Sequence, residues 1–145
     1  MHGRTMVVAE PLRGSVAAAL VRLVAGTVFA AHGAQKLFVF GLDGVAGGFA
    51  SMGVPMASVA GPAVALVEFF GGIALALGLF TRLASAGLAV VMLGAMLIVH
   101  LSAGFFAPEG VEFVLVLFTV ALALAIAGPG RFSLDAVIAG RSEQR

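Results

Sequence analysis

Residues 60–80 read AGPAVALVEFFGGIALALGLF, a run of 21 residues in which Glu68 is the only charged side chain. An α-helix rises 1.5 Å per residue, so about 20 apolar residues cover the roughly 30 Å of hydrocarbon in a bilayer. This run therefore predicts a helix that crosses a membrane.

The composition of the whole chain agrees with that prediction. Hydrophobic residues make up 61%, charged residues make up 10%, and the mean hydropathy is +1.16. A soluble domain carries about 25% charged residues, so lipid must replace water around most of this chain. The net charge of +1 argues against nucleic-acid binding. Because cysteine is absent, disulfides, thiolate metal sites and thiol redox chemistry by the chain itself are excluded.

Three further apolar stretches have the length of a membrane span, and turn-forming residues separate them. Pro108 and the pair Thr81-Arg82 mark two of the breaks, and Gly128-Pro129-Gly130 ends the last stretch. The predicted fold is an all-α membrane protein, a four-transmembrane-helix bundle that forms one domain over residues 1–145. We expect helices at about 15–35, 60–80, 83–101 and 111–128, a partly interfacial outer loop at 41–59, and a polar tail at 131–145.

The distribution of Lys and Arg predicts the orientation of the chain. With the N-terminus inside, the far side receives only Lys36. We therefore expect a multi-pass protein of the cell inner (plasma) membrane with cytoplasmic N- and C-termini. A cleaved signal peptide is a poor alternative for the first stretch, because the stretch is long and contains Arg22. The cytoplasmic side receives Arg4, Arg13, Arg82, Arg131, Arg141 and Arg145.

The two halves of the chain carry the same order of features, which indicates an internal repeat. A histidine stands near the outer end of an odd-numbered helix, at His32 and again at His100. A Val-Glu-Phe triplet then opens the next helix, at 67–69 and at 111–113. Because helices one and three run the same way, we expect a parallel internal repeat of two helix pairs about an axis along the membrane normal.

Ionisable side chains within the spans are predicted to share one layer near the outer face. His32 and His100 each lie about 17 residues beyond the inner end of their helix, which is roughly 25 Å at the rise of an α-helix. The two Val-Glu-Phe glutamates lie one or two turns below the outer end of theirs. The catalytic candidates are Glu68, His32, His100 and Glu112, and the cofactor-binding candidates are Lys36, Gln35 and Glu68.

Three interpretations of this polar layer stay open. The first is a buried polar network that orients the helices. Alternatively, it is a pocket for a quinone head group, in which His and Glu pass protons and Lys36 stabilises a developing oxyanion. A haem ligated by His32 and His100 is disfavoured, because the repeat alone places two histidines at one depth. No metal site is predicted.

Charges within the spans need interior positions, since a charge at membrane depth costs about 2.5–3.5 kcal/mol. We expect Glu68 and Arg22 to face the bundle interior with partners. Arg22 lies nearer the inner face, so it reaches Glu68 only if the bundle is thin or its side chain extends upward. Close helix packing is predicted at the small residues Gly26, Gly33, Gly71, Gly72 and Gly78.

The chain resembles the DoxX family of small bacterial membrane proteins over about residues 15–137. The resemblance rests on the order and spacing of four motifs. They are His32-Gly33-Ala34-Gln35-Lys36-Leu37-Phe38, Glu68-Phe69-Phe70-Gly71-Gly72 with Gly78-Leu79-Phe80-Thr81-Arg82, His100 through Gly104-Phe105-Phe106, and Gly128-Pro129-Gly130-Arg131-Phe132-Ser133-Leu134-Asp135.

This resemblance implies a four-helix membrane bundle linked to the membrane subunit of thiosulfate:quinone oxidoreductases and to other redox partners. Such a chain would be an oxidoreductase subunit that is not active alone. The competing interpretation is a non-enzymatic scaffold, chaperone or assembly factor that recruits a redox-protein partner through Arg82, Arg131, Asp135 and the tail. Glycine-rich faces are also compatible with a homo-oligomer.

Overall fold

The computed structural model describes residues 3–142, with side chains for residues 12–140. Within this part of the chain every regular element is a helix. The predicted all-α class is therefore confirmed. The α-helices are α1 Gly3–Ala34, α2 Gly41–Ser51, α3 Ala57–Leu77, α4 Thr81–Ala95, α5 Glu112–Ala127 and α6 Leu134–Ser142.

Three helical segments are long enough and apolar enough to cross a membrane: Leu12–Ser51, Ala57–Leu77 and Thr81–Ala103. The fourth apolar helix, α5, has 16 residues and is about 24 Å long at the rise of an α-helix. Large apolar side chains such as Leu83 and Val90 lie on the outside of the bundle, as lipid contact requires. The chain is therefore a membrane protein, whereas four crossings and an internal repeat stay predictions.

Two of the helices end in π-helical turns, and the first of these turns carries its helix beyond the predicted outer end. The first predicted helix ends near residue 35, but a π turn, Gln35–Phe40, continues α1 to Gly41, whose φ is +70°. Helix α4 continues in the same way through Met96–His100. Apolar hydropathy does not distinguish an α turn from a π turn, so the sequence pattern contains no sign of this change. Helix α2 then occupies part of the predicted outer loop.

Helices α1 and α3 are antiparallel and pack backbone to backbone at glycines. A β-carbon built on Gly26 would lie 2.5 Å from the Ala76 nitrogen, and one on Gly33 would lie 2.3 Å from the Phe69 nitrogen. On the opposing helix, a β-carbon on Gly72 would lie 2.7 Å from the Gly26 oxygen. These positions form the glycine seam, and the prediction of close packing at glycine is confirmed.

The core between these helices and the α4–α5 pair is apolar and contiguous. Phe29 of α1, Leu75 of α3 and Leu88 of α4 are fully buried, and they contact one cluster with Ala121 and Leu124 of α5. Leu88 also packs against α3 at Gly71. This packing holds all four long helices at defined rotations, and so it determines which polar side chains can meet.

Arg22 is buried at 4% exposure, but its partner is not Glu68. Its Nη1 and Nη2 atoms donate hydrogen bonds to the carbonyl oxygens of Pro129 and Phe132, at the end of the chain that follows α5. A pair between Arg22 and Glu68 is therefore excluded, because the guanidinium extends toward the opposite end of the bundle. The expectation that Arg22 faces the interior with a partner is confirmed.

Asp135 closes the same end of the bundle by capping α4 from a distant part of the chain. Its Oδ1 and Oδ2 atoms accept hydrogen bonds from the backbone nitrogens of Phe80, at 2.8 Å, and Thr81, at 2.9 Å. The Asp135 nitrogen in turn donates to the Gly78 oxygen at 2.9 Å. Asp135 and Arg22 together form the terminal clamp, which joins the α3–α4 turn to the segment after α5. Asp135 is thus occupied within the protein rather than presented to a docking partner.

The terminal clamp makes the stability depend on pH in a defined direction. Burial alone would raise the pKa of Asp135, but the backbone hydrogen bonds from Thr81 and Phe80, and the charge of Arg22, outweigh burial and lower it. A carboxyl whose pKa is lowered by folding stabilises the protein above its unfolded pKa, about 3.9. That contribution is lost as the pH falls through the lower pKa of the folded state.

Asp135→Asn should therefore lower the stability at neutral pH by about 0.5–2 kcal/mol, the range for loss of a helix N-cap. Thermal unfolding in neutral detergent from pH 7 to pH 3 measures this effect. The difference between wild type and variant should shrink below about pH 4, where the wild-type carboxyl also loses its charge. The control is Asp43→Asn, at an exposed position of α2. An equal effect of both substitutions would contradict the clamp.

Candidate functional site

An ion pair between Lys36 and Glu68 lies beside the glycine seam. The Lys36 Nζ atom is 2.5 Å from Glu68 Oε2, and the two side chains are 20% and 5% exposed. Gly33 brings the helices together here, because a β-carbon at Gly33 would lie 2.8 Å from the Glu68 carbonyl carbon. The sequence predicts both residues as members of the site, but it does not predict that they pair. The signal that could have indicated the pair is that Lys36 lies one turn from Gly33 and Glu68 lies one turn from Gly72.

The π turns carry several of the predicted site residues. Gln35 and Lys36 begin the first π turn, and His100 ends the second. A π turn is wider than an α turn, with hydrogen bonds from residue i to i+5, and it occurs frequently at functional sites. Lys36, one turn after Gly33, lies on the face of this helix that packs against α3.

His32 and Gln35, which precede Lys36 along the same helix, line an open depression. Together with Ala31 they border a shallow volume of about 340 Å³ on the exposed side of the first helix. The His32 ring is exposed on one side, and its centroid lies 5.9 Å from that of Phe113 on α5, with the planes tilted by 48°. The depression therefore opens toward the surroundings of the bundle and also contacts its fourth apolar helix.

His100 and Glu112 organise the loop between the second π turn and α5. The Glu112 Oε1 atom accepts a hydrogen bond from the Ala107 nitrogen at 2.6 Å. The His100 Nδ1 atom lies 2.7 Å from the Glu109 carbonyl oxygen, and because a carbonyl only accepts, Nδ1 carries the proton. The loop is closed further by a bond from the Val111 nitrogen to the Gly104 oxygen at 2.9 Å.

The contacts bring some of the predicted site residues together and leave others apart. Gly33 meets Glu68 and Phe69, and His32 meets Phe113, so α1, α3 and α5 contribute to one level of the bundle. The hydrogen bonds of His100 and Glu112 go to loop backbone instead of to the ion pair. Their membership in one site with Glu68 stays a prediction. Across residues 12–140, no three His, Asp or Glu side chains are grouped as metal ligands would be.

Curated relatives of this chain come from several bacteria. A protein of Bacillus subtilis named "Putative oxidoreductase CatD" is 32% identical over 105 residues, which cover 72% of this chain and 75% of the relative. An uncharacterized protein of Haemophilus influenzae is 35% identical over 121 residues, covering 81% and 87% of the two chains. An uncharacterized membrane protein of Mycobacterium tuberculosis is 32% identical over 133 residues, covering 84% and 81%. No solved structure gives a significant match.

Two family profiles match most of the chain between them. The profile described as DoxX matches residues 17–101, which contain the ion pair and both π turns. The profile described as "TQO small subunit DoxD" matches residues 62–145, which contain the loop of His100 and Glu112 and the segment held by the terminal clamp. Its helical membrane fold, these profile matches and the relatives above lead to one conclusion: the chain belongs to the DoxX family.

Proposed function

We propose that the protein is an integral membrane subunit of a quinone-linked oxidoreductase or redox-homeostasis system. A polar pocket of Lys36, Glu68, His32 and Gln35 would take the head group of a quinone-like lipid. The observation that carries this proposal is the partly buried Lys36–Glu68 ion pair, together with an open depression lined by Gln35 and His32, which precede Lys36 on the same helix. The oxidoreductase class is supported by the names of the B. subtilis relative and of the TQO small subunit profile.

The chemistry of these side chains fits a quinone head group. An ammonium group has three N–H donors, and Glu68 accepts from one of them. Lys36 can therefore also donate to a carbonyl oxygen of the ligand. Gln35 at the margin of the depression offers both a donor and an acceptor. The Lys36–Glu68 pair is neutral overall, which suits a neutral ligand better than an anionic one.

The location of the depression supports entry from the bilayer. His32 is exposed on the side of α1 that lies outside the bundle, among apolar side chains that face lipid in a membrane protein. A lipid-soluble ligand can reach this surface without crossing the apolar core. A water-soluble ion would have to leave solvent to reach the same place, at a considerable desolvation cost.

A bound quinone would supply two-electron redox chemistry. The residues of the chain would orient it and handle protons. Lys36 stabilises negative charge on the ligand oxygen, and Glu68 keeps Lys36 in position. His32 is exposed at the open side, where its imidazole could exchange protons with the ligand. We extend the proposal to His100 and Glu112 as a second imidazole and acid that shape the neighbouring loop.

We further propose that α5 is a fourth membrane crossing, that both termini lie in the cytoplasm, and that the membrane is the inner membrane. The support is the distribution of arginines, which favours one side of the bundle. A subunit of this kind needs a redox-protein partner, because the chain has no cysteine and carries the quinone side of the reaction only. Copies of the chain could also associate within such a complex.

Glu68→Gln tests the pocket. Glutamine keeps the shape and an acceptor for Lys36, but it removes the charge and the titratable proton. We expect the purified variant to carry about tenfold less co-extracted quinone than wild type, since hydrogen bonds to charged groups contribute about 1.5–3 kcal/mol. Extraction into organic solvent followed by chromatography measures the amount. Glu109→Gln, the same chemical change in an exposed loop, should keep the wild-type amount.

Two results would count against the pocket. Equal quinone in wild type and Glu68→Gln would mean that any bound quinone lies elsewhere. No quinone in wild type, even after incubation with a short-chain quinone, would favour the scaffold or assembly-factor interpretation. In that case the Lys36–Glu68 pair would serve only to join α1 to α3.

A further inference from the structure

Three exposed arginines, Arg13, Arg82 and Arg131, lie at the end of the bundle opposite the candidate pocket. We call them the arginine rim. The Arg82 guanidinium lies over Gly128, where a β-carbon would be 3.1 Å from its Nε atom. On the other side of the same segment, a β-carbon on Gly130 would lie 3.8 Å from the Ser15 Cα atom of α1. Segment 128–131 thus bridges the start of α4 and the start of the α1 span.

This bridge brings the rim arginines from three parts of the chain to one end of the bundle. Arg131 follows Gly130 directly, and Arg13 precedes Ser15 by two residues on α1. The ion pair described among the side chains of residues 12–140 joins Lys36 and Glu68. It lies at the other end of the bundle and involves none of the rim arginines. The nearby carboxylate of Asp135 is occupied by backbone nitrogens and lies next to the charge of Arg22. The rim therefore presents positive charge that the described part of the protein does not neutralise.

Each rim arginine stands beside a large exposed apolar side chain in the sequence. Arg82 is followed by Leu83, which is 75% exposed, and Arg131 is followed by Phe132, which is 49% exposed. A bilayer provides both complements, because its phosphates lie directly above its acyl chains. An inorganic anion would match only the charge. The exposed apolar neighbours of the rim are Leu12, Phe80, Leu83 and Phe132.

We infer that the arginine rim binds the phosphate of an anionic phospholipid, with the adjacent apolar side chains in contact with its acyl chains. Guanidinium groups donate in a planar fork that matches phosphate oxygens. Basic pockets next to membrane helices bind anionic lipid head groups by this chemistry. The site is separate from the candidate quinone pocket, so this inference does not depend on the proposed function.

Native mass spectrometry of the full chain in neutral detergent tests the site. The probes are short-chain phosphatidylglycerol, short-chain phosphatidylcholine and inorganic phosphate. We expect wild type to bind phosphatidylglycerol more tightly than phosphatidylcholine. The double variant Arg82→Gln, Arg131→Gln should weaken phosphatidylglycerol binding about 25-fold, or about fivefold for each arginine near an anionic lipid, and leave phosphatidylcholine binding unchanged.

Two controls separate the inference from a folding effect. Arg82→Lys with Arg131→Lys keeps the charge and should keep the preference for phosphatidylglycerol over phosphatidylcholine, with weaker binding than wild type because lysine lacks the planar fork. If the double glutamine variant fails to fold, Arg131→Gln alone should show the fivefold loss. An unchanged lipid preference in the glutamine variants would overturn the inference and leave the rim to an acidic protein partner. Competition by inorganic phosphate as strong as that by phosphatidylglycerol would also overturn it, in favour of a free-anion site.

Discussion

Gly72→Ala should destabilise the bundle more than substitution at a glycine that has open space around its Cα atom. The added β-carbon would lie 2.3 Å from the Ala30 nitrogen and 2.7 Å from the Gly26 oxygen. Both are backbone atoms, so no rotation of a side chain relieves the clash. The only relief is separation of α1 from α3. Overpacking in a core typically costs about 1–3 kcal/mol, and a backbone clash belongs at the upper end of that range or beyond it.

The consequence of this substitution should reach the candidate pocket. Lys36 meets Glu68 where the glycine seam holds the helices together, and separation by even an ångström would weaken the ion pair. We therefore expect Gly72→Ala to lower both the unfolding midpoint in detergent and the amount of bound quinone. Gly94→Ala is the matched control, because a β-carbon there has nothing within 4 Å. If the two substitutions lower the midpoint equally, the close packing seen at Gly72 is not what stabilises the bundle.

Lys36→Met should have the second large effect. It leaves the Glu68 carboxylate, 5% exposed, without its cation, and breaking a buried pair by removing one partner costs about 3–5 kcal/mol. Lys36 is itself partly exposed, so we expect the lower end of that range. Thermal or denaturant unfolding in neutral detergent measures the loss. Methionine keeps the length and the apolar stem of the side chain, which confines the change to the ammonium group.

A double-mutant cycle separates the pair from the individual side chains. Combining Lys36→Met with Glu68→Met replaces both charges by apolar groups, which is often close to neutral for a buried pair. The double variant should therefore be more stable than Lys36→Met alone. If the two single losses simply add, the two side chains do not interact in the folded protein. The double variant also serves as a control for the quinone experiment. If it is stable but carries no quinone, the loss of quinone is due to the missing pair and not to loss of the fold.

Two of the motifs that carry the family resemblance meet in the terminal clamp. The turn at 78–82 offers the backbone nitrogens of Phe80 and Thr81, and the segment at 128–135 supplies the Asp135 carboxylate that accepts from them. Phe80 has a φ of +48°, an uncommon conformation for a bulky side chain, and the capping bonds help to hold it. These motifs therefore have a structural explanation that does not involve the candidate pocket.

Several properties of this protein followed from the sequence by itself. The apolar runs determined that it is helical and lies in a membrane, because length and hydropathy are local quantities. The cost of a charge in lipid predicted that Arg22 and Glu68 are interior, and small side chains predicted where helices approach. Each of these conclusions depends on one segment at a time, and the structure agrees with each.

Only the tertiary structure decided which polar groups meet. Arg22 bonds to carbonyls more than 100 residues away, Lys36 pairs with Glu68, and His100 and Glu112 turn to the loop between them. Such pairings depend on the rotation and depth of each helix to within about an ångström. The glycine contacts between helices fix how α1 and α3 approach each other. The π turns that end α1 and α4 leave no mark in the hydropathy of the sequence.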